Sequence, residues 1–364
     1  MNSQDNGRFR TLGELEDAAA RRCSPAVWGY IQGGAGQEHA IQRNRDAFLR
    51  WTLRTRVLAG LSEVDLSTTL QHDGVSVPFY VAPTAYQELV HPDGEQGTAR
   101  AAGAARVLSM FSTLSSHSLE QIAAAAPSGP RWFQLYLQPE FSVTQRLVKR
   151  AEQAGYTALV LTADAPMLAV RDRQRRSGFA LDASIPIGNG ANVQPPARAL
   201  PPKGGGKFVV PEEATVDWEI VDRLRELTEL PIIVKGIQSA EDARRAVAHG
   251  AKGVVVSNHG GRQLDGSAAT LDVLPEVVAA IGTEAEVYLD GGVRRASDVL
   301  IALALGARAV GLGRPVLWAL AADGSLGVAR LIELLTTELA SVMLLVGRGS
   351  ISQIDRTLIQ SISA

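Results

Sequence analysis

Between Ser76 and Leu326 short apolar runs alternate with longer amphipathic segments, and this rhythm leaves few folds open. The runs are Val77 to Ala82, Val107 to Ser112, Trp132 to Leu137, Ala158 to Thr162, Ile232 to Lys235, Gly253 to Ser257, Glu286 to Asp290 and Ala309 to Leu312. Three of them share one pattern: Gly155 to Thr162, Gly250 to Ser257 and Gly306 to Gly313. Each opens on a glycine suited to the left-handed end of a helix, continues as a buried strand and closes on a polar residue or glycine. Eight such runs predict an α/β chain folded as a (β/α)8 TIM barrel. A doubly wound open sheet is the competing arrangement. It lacks its G-x-G-x-x-G signature, because Val81-Ala82-Pro83-Thr84-Ala85 stands after the first run.

The remaining segments are read around that barrel. Residues 1–75 are expected to form a helical N-terminal cap, with Thr11 and Glu14 as a capping box, and residues 76–364 the barrel of a single domain. After the fourth strand, periodicity fails between Asp182 and Pro211, where Pro, Gly and Ala dominate; this long loop is expected to be a mobile lid. The formal net charge of -2 excludes the broad basic field that nucleic acid or an anionic membrane requires. Cys23 is the single cysteine, so neither an intrachain disulfide nor a thiolate metal cluster is expected. With no signal peptide and no apolar run long enough to span a bilayer, a cytoplasmic protein is expected.

Catalytic groups of such barrels sit at the C-terminal ends of the strands, and here those ends are polar. Gln134, Tyr136, Thr162, Asp164, Lys235, Ser257, Asn258, His259, Asp290, Gly313 and Arg314 all fall there. The densest group is Ser257-Asn258-His259-Gly260-Gly261-Arg262-Gln263. A histidine takes a hydroxyl proton near neutral pH, and an arginine grips a carboxylate through two parallel hydrogen bonds. Asp164 would stabilise the imidazolium, and Arg171 would be a second carboxylate clamp; a turn cap and a solvated charge would explain the same two residues. A surface position one residue past its strand would likewise explain Lys235. Asp290-Gly291-Gly292-Val293-Arg294 and Gly311 to Pro315 join glycines, arginines and helix N-termini on the late strands, a setting for phosphate. His39, His72, His91, His117 and His249 lack comparable surroundings and are assigned structural or surface roles. From the residues alone, the site accepts a phosphate-bearing ligand and a hydroxy acid, with no metal.

These motifs resemble the FMN-dependent 2-hydroxy acid oxidase and dehydrogenase family, which includes glycolate oxidase, lactate oxidase and 4-hydroxymandelate oxidase. The resemblance runs from Tyr30-Ile-Gln-Gly-Gly-Ala35 to Gly313-Arg-Pro315 and rests most on Ser257-Asn-His-Gly-Gly-Arg-Gln263. It implies that FMN is the cofactor and a small (S)-2-hydroxy acid, mandelate-like or lactate-like, the substrate. His259 would be the base and Asp164 its partner. Lys235 would lie by the flavin, while Tyr30, Tyr136, Arg171 and Arg262 would hold the substrate. Pro83, Thr84, Ala85, Ser112, Gln134, Thr162 and Ser257 would line the isoalloxazine and ribityl chain. Asp290, Gly291, Gly292, Arg294, Gly313 and Arg314 would take the ribityl and phosphate.

Leu114 stands where glycolate oxidase carries a tryptophan, so the resemblance implies a roomier pocket. Ala85 stands where the family's oxidases carry alanine, which implies dioxygen as acceptor and hydrogen peroxide as its product. Dehydrogenation with a non-oxygen acceptor is one alternative, and flavin-dependent isopentenyl diphosphate isomerase is another of a different class. A homo-oligomer, tetrameric as is common in the family, is also implied.

Overall fold

The computed structural model describes residues 9–197 and 217–362. Three helices come first: α1 (Leu12–Arg22), α2 (Pro25–Gln32) and α3 (His39–Leu49). Strand β1 (Trp51–Leu53) follows, then a hairpin of β2 (Thr68–Leu70) and β3 (Asp73–Val75). Among the described residues, the helical character expected of residues 1–75 is therefore found from Leu12 to Leu49 and not beyond. Beyond it Thr, Val and Leu dominate, and Gln71, at φ 52°, turns the chain tightly enough to pair β2 with β3. The capping box at α1 is half formed. Thr11 accepts the Glu14 N–H, but the Glu14 carboxylate accepts from Arg10 and not from Thr11.

The barrel begins with β4 (Phe79–Val81), α4 (Gly94–Ala104), β5 (Ser109–Ser112), α5 (Leu119–Ala125) and β6 (Arg131–Leu135). It continues through α6 (Phe141–Gln153), β7 (Leu159–Thr162), α7 (Asp172–Arg176), α8 (Glu219–Arg225), β8 (Ile232–Ile237) and α9 (Ala240–Ala248). Strand β9 (Gly253–Val256), α10 (Thr270–Ile281), β10 (Glu286–Asp290), α11 (Ala296–Ala304) and β11 (Ala309–Leu312) complete it. Helix α12 (Arg314–Leu345), broken at Asp323 and Gly324, then packs over α1 and α4, and β12 (Ile359–Ser361) pairs with β1. All eight barrel strands pair in parallel and β11 closes on β4, so the open sheet is excluded. Gly155, Gly250 and Gly306 take φ values of 73°, 85° and 104°, the left-handed turn that sends each helix back into the next strand. Helix α6 shows why the outer ring docks: Val143, Thr144, Leu147, Val148 and Ala151 are buried at helical spacing, and Arg146 and Lys149 face water.

Strand parity divides the barrel interior into two levels. Tyr80, Met110, Trp132, Val160, Ile233, Val255, Tyr288 and Ala309 form one apolar cluster, and Leu70 and Val75 of the hairpin close it from below. Two residues further along each strand, the period of a pleated strand, stand Ala82, Ser112, Gln134, Thr162, Lys235, Ser257, Asp290 and Gly311. The floor is packed hydrocarbon, and the mouth is polar. Among the described residues no helix is long and apolar enough to cross a membrane. In the 182–211 loop, residues 182–197 form turns without helix or strand, and 198–211 lie outside the described residues.

His117, assigned a structural role, is clamped between two carboxylates: Nδ1 is 3.1 Å from Glu95 and Nε2 is 3.2 Å from Glu88. The hydrogen bond to buried Glu95 raises the imidazole above its ordinary range, against burial and with help from both carboxylate charges. A raised folded value contributes stability that is complete below the unfolded value of about 6.5 and is lost as pH rises through the folded one. The stability gap between the native protein and His117→Gln should therefore be widest in mild acid and narrow towards alkaline pH. Urea unfolding across that range checks this; a pH-independent gap contradicts it.

Candidate active site

The polar strand ends line a cavity of about 480 Å³ at the C-terminal mouth, within the roughly 300–1,000 Å³ typical of small-molecule sites. Its wall includes residues contributed by β5, β6, β7 and β8, the loops after β4, β9 and β10, and the N-terminus of α12. Helix α2 and the segment after β7 cover it, through Tyr30 and through Arg171, Phe179 and Leu181.

His259 stands two residues past the alternating strand positions Val255 and Ser257, with its backbone in the left-handed region at φ 58°. Its N–H donates to Ser257 Oγ at 3.1 Å. That backbone turn exposes the imidazole at the cavity wall with its Nδ1 2.9 Å from Asp164 Oδ1. Asp164 lies behind the imidazole and does not line the cavity. Burial would raise its carboxyl, but the charges of His259 and Lys235 outweigh burial and hold it below the ordinary carboxylate range. Its Oδ2 has no hydrogen-bond partner among the described residues. Tyr136 brings its hydroxyl to 3.5 Å from His259 Nε2, and burial holds that phenol well above its usual range and hence neutral.

Arg171 and Arg262 meet on the same wall. Arg171 Nε donates to the Arg262 carbonyl at 3.1 Å, and Arg262 donates to the carbonyls of Tyr30 and Gly33. The Arg262 guanidinium also lies 5.1 Å from the Tyr30 ring centroid. Main-chain acceptors orient both guanidiniums on the cavity wall, the geometry with which arginine grips an anionic ligand.

Lys235 is buried at the cavity floor, 2.8 Å from Ser257 Oγ and 3.1 Å from Asp290 Oδ2. Burial pulls its ammonium down, yet Asp290 and Asp164 outweigh it and keep the group above its ordinary value. Ser257 is fully buried behind Lys235 and does not line the cavity, in contrast to the ligand contact expected of it. Beside Arg262, whose Gly33 carbonyl it shares, burial followed by Arg262 and Arg294 pulls Arg314 well below the guanidinium range, and burial with Arg45 brings Arg294 to about 10. Like charges so placed favour a multiply charged anion. The glycines Gly291 and Gly292 hold φ values of 103° and 89°, and a β-carbon at Gly313 would meet nothing within 4 Å. A cationic end, small residues beside it and a polar-sided channel fit a flavin mononucleotide.

The other anticipated positions, Pro83, Thr84, Ala85, Ser112, Leu114, Gln134, Thr162, Asp290, Gly291, Gly292 and Gly313, all line this one cavity. Unanticipated are Leu168, Gln174, Phe179, Leu181 and Gln194 to Ala197, all from the segment between β7 and α8. Phe179, an isolated aromatic after a run of charges, was the visible signal; its ring stacks on Tyr30 at 4.5 Å.

Residues 19–361 match the FMN-dependent dehydrogenase family. The chain is 43% identical over 351 residues to 2-hydroxyacid oxidase 2 of Rattus norvegicus, covering 96% of this chain and 98% of that protein. It is 43% identical over 355 residues to an L-lactate oxidase of Nostoc sp., covering 96% and 97%. A solved mandelate oxidase with benzoyl-formic acid superposes with a TM-score of 0.88 at 42% identity, over 97% of this chain and 98% of that one. With a closed barrel, a cationic phosphate end and a match over nearly its full length, the chain belongs to the FMN-dependent dehydrogenase family and takes FMN as its cofactor.

Proposed function

We propose that this FMN-dependent oxidation of a 2-hydroxy acid acts on substrates with an aryl or similarly bulky side chain, and that dioxygen reoxidises the cofactor to give hydrogen peroxide. One observation carries the reading: His259, backed by Asp164, shares a cavity with Arg171 and Arg262. Bound FMN supplies the two-electron acceptor for the hydride that leaves the substrate carbon. The chain's own residues do the rest. Arg171 and Arg262 hold the carboxylate, and the hydroxyls of Tyr136 and Tyr30 orient the substrate. His259 Nε2 takes the hydroxyl proton, and Asp164 stabilises the resulting imidazolium. Lys235, kept cationic, offers positive charge at the cavity floor.

Side-chain size is set by Leu114, Leu168, Phe179 and Leu181, which make the cavity wall apolar where Leu114 sits in place of an indole. A related mandelate oxidase, solved with (S)-2-phenylpropionate, matches this chain at 42% identity. Anaerobic bleaching of the flavin by glycolate, lactate, mandelate and 4-hydroxymandelate, followed by air, tests substrate and acceptor together. Aryl acids should bleach fastest, and air should restore the colour with peroxide formed. Bleaching that air does not reverse points to a non-oxygen acceptor. Leu114→Trp should lower kcat/KM for mandelate by roughly tenfold or more, the cost of overpacking, and spare glycolate. An unchanged mandelate-to-glycolate ratio would remove Leu114 from the specificity wall.

We read the chain as one domain, assembled as a homotetramer by family likeness; light scattering tests the assembly.

A further inference from the structure

The loop that presents His259 is not held by the barrel alone. His259, Gly260 and Gly261 take φ values of 58°, 64° and 75°, three left-handed residues in succession. Glycine accepts that conformation freely, whereas for a residue with a β-carbon it is uncommon. Something must hold the first residue of the three there.

The contact comes from the N-terminal cap. Asn44, in the middle of α3 and 2% exposed, exchanges both amide hydrogen bonds with Asn258, which is 4% exposed. Asn44 Nδ2 donates to Asn258 Oδ1 at 2.8 Å, and Asn258 Nδ2 donates to Asn44 Oδ1 at 2.9 Å. Each amide also fixes main chain. Asn258 Oδ1 accepts the Gly261 N–H at 3.0 Å, Asn258 Nδ2 donates to the Ala268 carbonyl, and Asn44 Oδ1 accepts the Thr270 N–H. A buried amide pair with every polar atom engaged has one arrangement, because any rotation leaves donors unpaired. Helix α3 also abuts the loop sterically: a β-carbon on Gly261 would lie 2.8 Å from the Ile41 nitrogen, and one on Gly292 would run into the Asn44 carbonyl.

We propose that Asn44 is a positioning residue for the oxidation: its reciprocal amide clasp with Asn258 locks the left-handed turn that places His259 and Arg262 on the substrate. The proposal rests on the reading of His259 as base. Asn44 touches no substrate; it acts through Asn258 on the 258–261 main chain. Because α3 also backs the Gly291–Gly292 loop, the N-terminal cap aligns the proton-accepting side of the cavity with its phosphate side.

The test compares Asn44→Ala and Asn44→Asp holoenzymes in anaerobic stopped flow, with reduction rates taken per bound flavin. Asn44→Asp keeps the acceptor for Asn258 and Thr270 and sets a second oxygen against Asn258 Oδ1 where the donor stood. The expected result is a reduction rate at saturating mandelate that falls at least tenfold in Asn44→Ala and falls also in Asn44→Asp, with FMN still bound. Asn44→Ala combined with Asn258→Ala should be no slower than the slower single variant, since both break one clasp. If Asn44→Ala does not fold, Asn44→Asp decides. A native rate per bound flavin in Asn44→Asp, or in an Asn44→Ala whose only defect is thermal stability, overturns the proposal. If His259→Ala were to reduce normally, the reading of the base would fall instead, so the two failures are distinct.

Discussion

Replacing His259 by alanine is expected to leave a yellow protein that hydroxy acids hardly bleach. The groups that act on Arg294 and Arg314 do not include His259, so FMN should remain bound. What disappears is the proton acceptor and the partner of Asp164, whose carboxylate is held ionised by His259 first and Lys235 second. A positioned general base contributes about 10² to 10⁴ in rate, or roughly 3–5.5 kcal/mol of barrier. Anaerobic stopped-flow reduction at saturating substrate should fall by about that factor. His259→Gln should fall almost as far, because an amide can occupy the space but cannot take the proton. Reduction within about tenfold of the native rate would show that another group accepts it.

Lys235→Met is the second large effect, and it is one of stability. The side chain is apolar and of similar length, so packing changes little. The ammonium, however, is the partner 3.1 Å from Asp290 and the second-largest charge acting on Asp164; Lys235 and Asp290 are buried and Asp164 is half-buried. Removing one member of a buried pair leaves an uncompensated charge and costs about 3–5 kcal/mol. The sign with pH follows from the shifts. The raised Lys235 value contributes stability that is complete below the unfolded lysine value and is lost as pH rises through the folded one. The lowered Asp164 value contributes above the unfolded aspartate value and is lost as pH falls through its folded one. Near neutrality the native protein holds both contributions, and the variant holds neither in full. On acidification the stranded carboxylates take up protons and the variant recovers, so the gap should be widest near neutrality and close towards low pH. Urea unfolding of the apoprotein and of protein with excess FMN separates the intrinsic loss from lost cofactor binding. A deficit below about 1 kcal/mol near neutrality would mean that the pair is not what keeps the floor of the site ionised.

Most of the barrel and much of the site could be read from local pattern. Each strand is a short apolar run because helices cover it outside and side chains fill it inside, and such runs stand out in any sequence. Residues such as Gln134, Thr162, Lys235 and Asp290 were legible because polar groups closing an apolar run have no place in hydrocarbon. The β2–β3 hairpin was not legible, since three-residue strands carry too little periodicity to distinguish them from a loop. Leu168, Phe179, Leu181 and Gln194 to Ala197 were missed for a related reason: an irregular segment has no repeating face, so nothing local says which of its side chains turn inward, and the single turn of α7 that carries Gln174 is too short to show one.

The amino-acid order alone determined that this chain closes a parallel eight-stranded barrel and that its polar strand ends share one mouth, because strand period and helix-ending glycines act over a few residues. Only the folded molecule decided that Ser257 supports Lys235 from behind, that Asp164 stands between His259 and Lys235, and that Asn44 reaches Asn258 across 214 positions of chain. Those pairings depend on which side chains are excluded from water together, and that is settled by packing between distant segments.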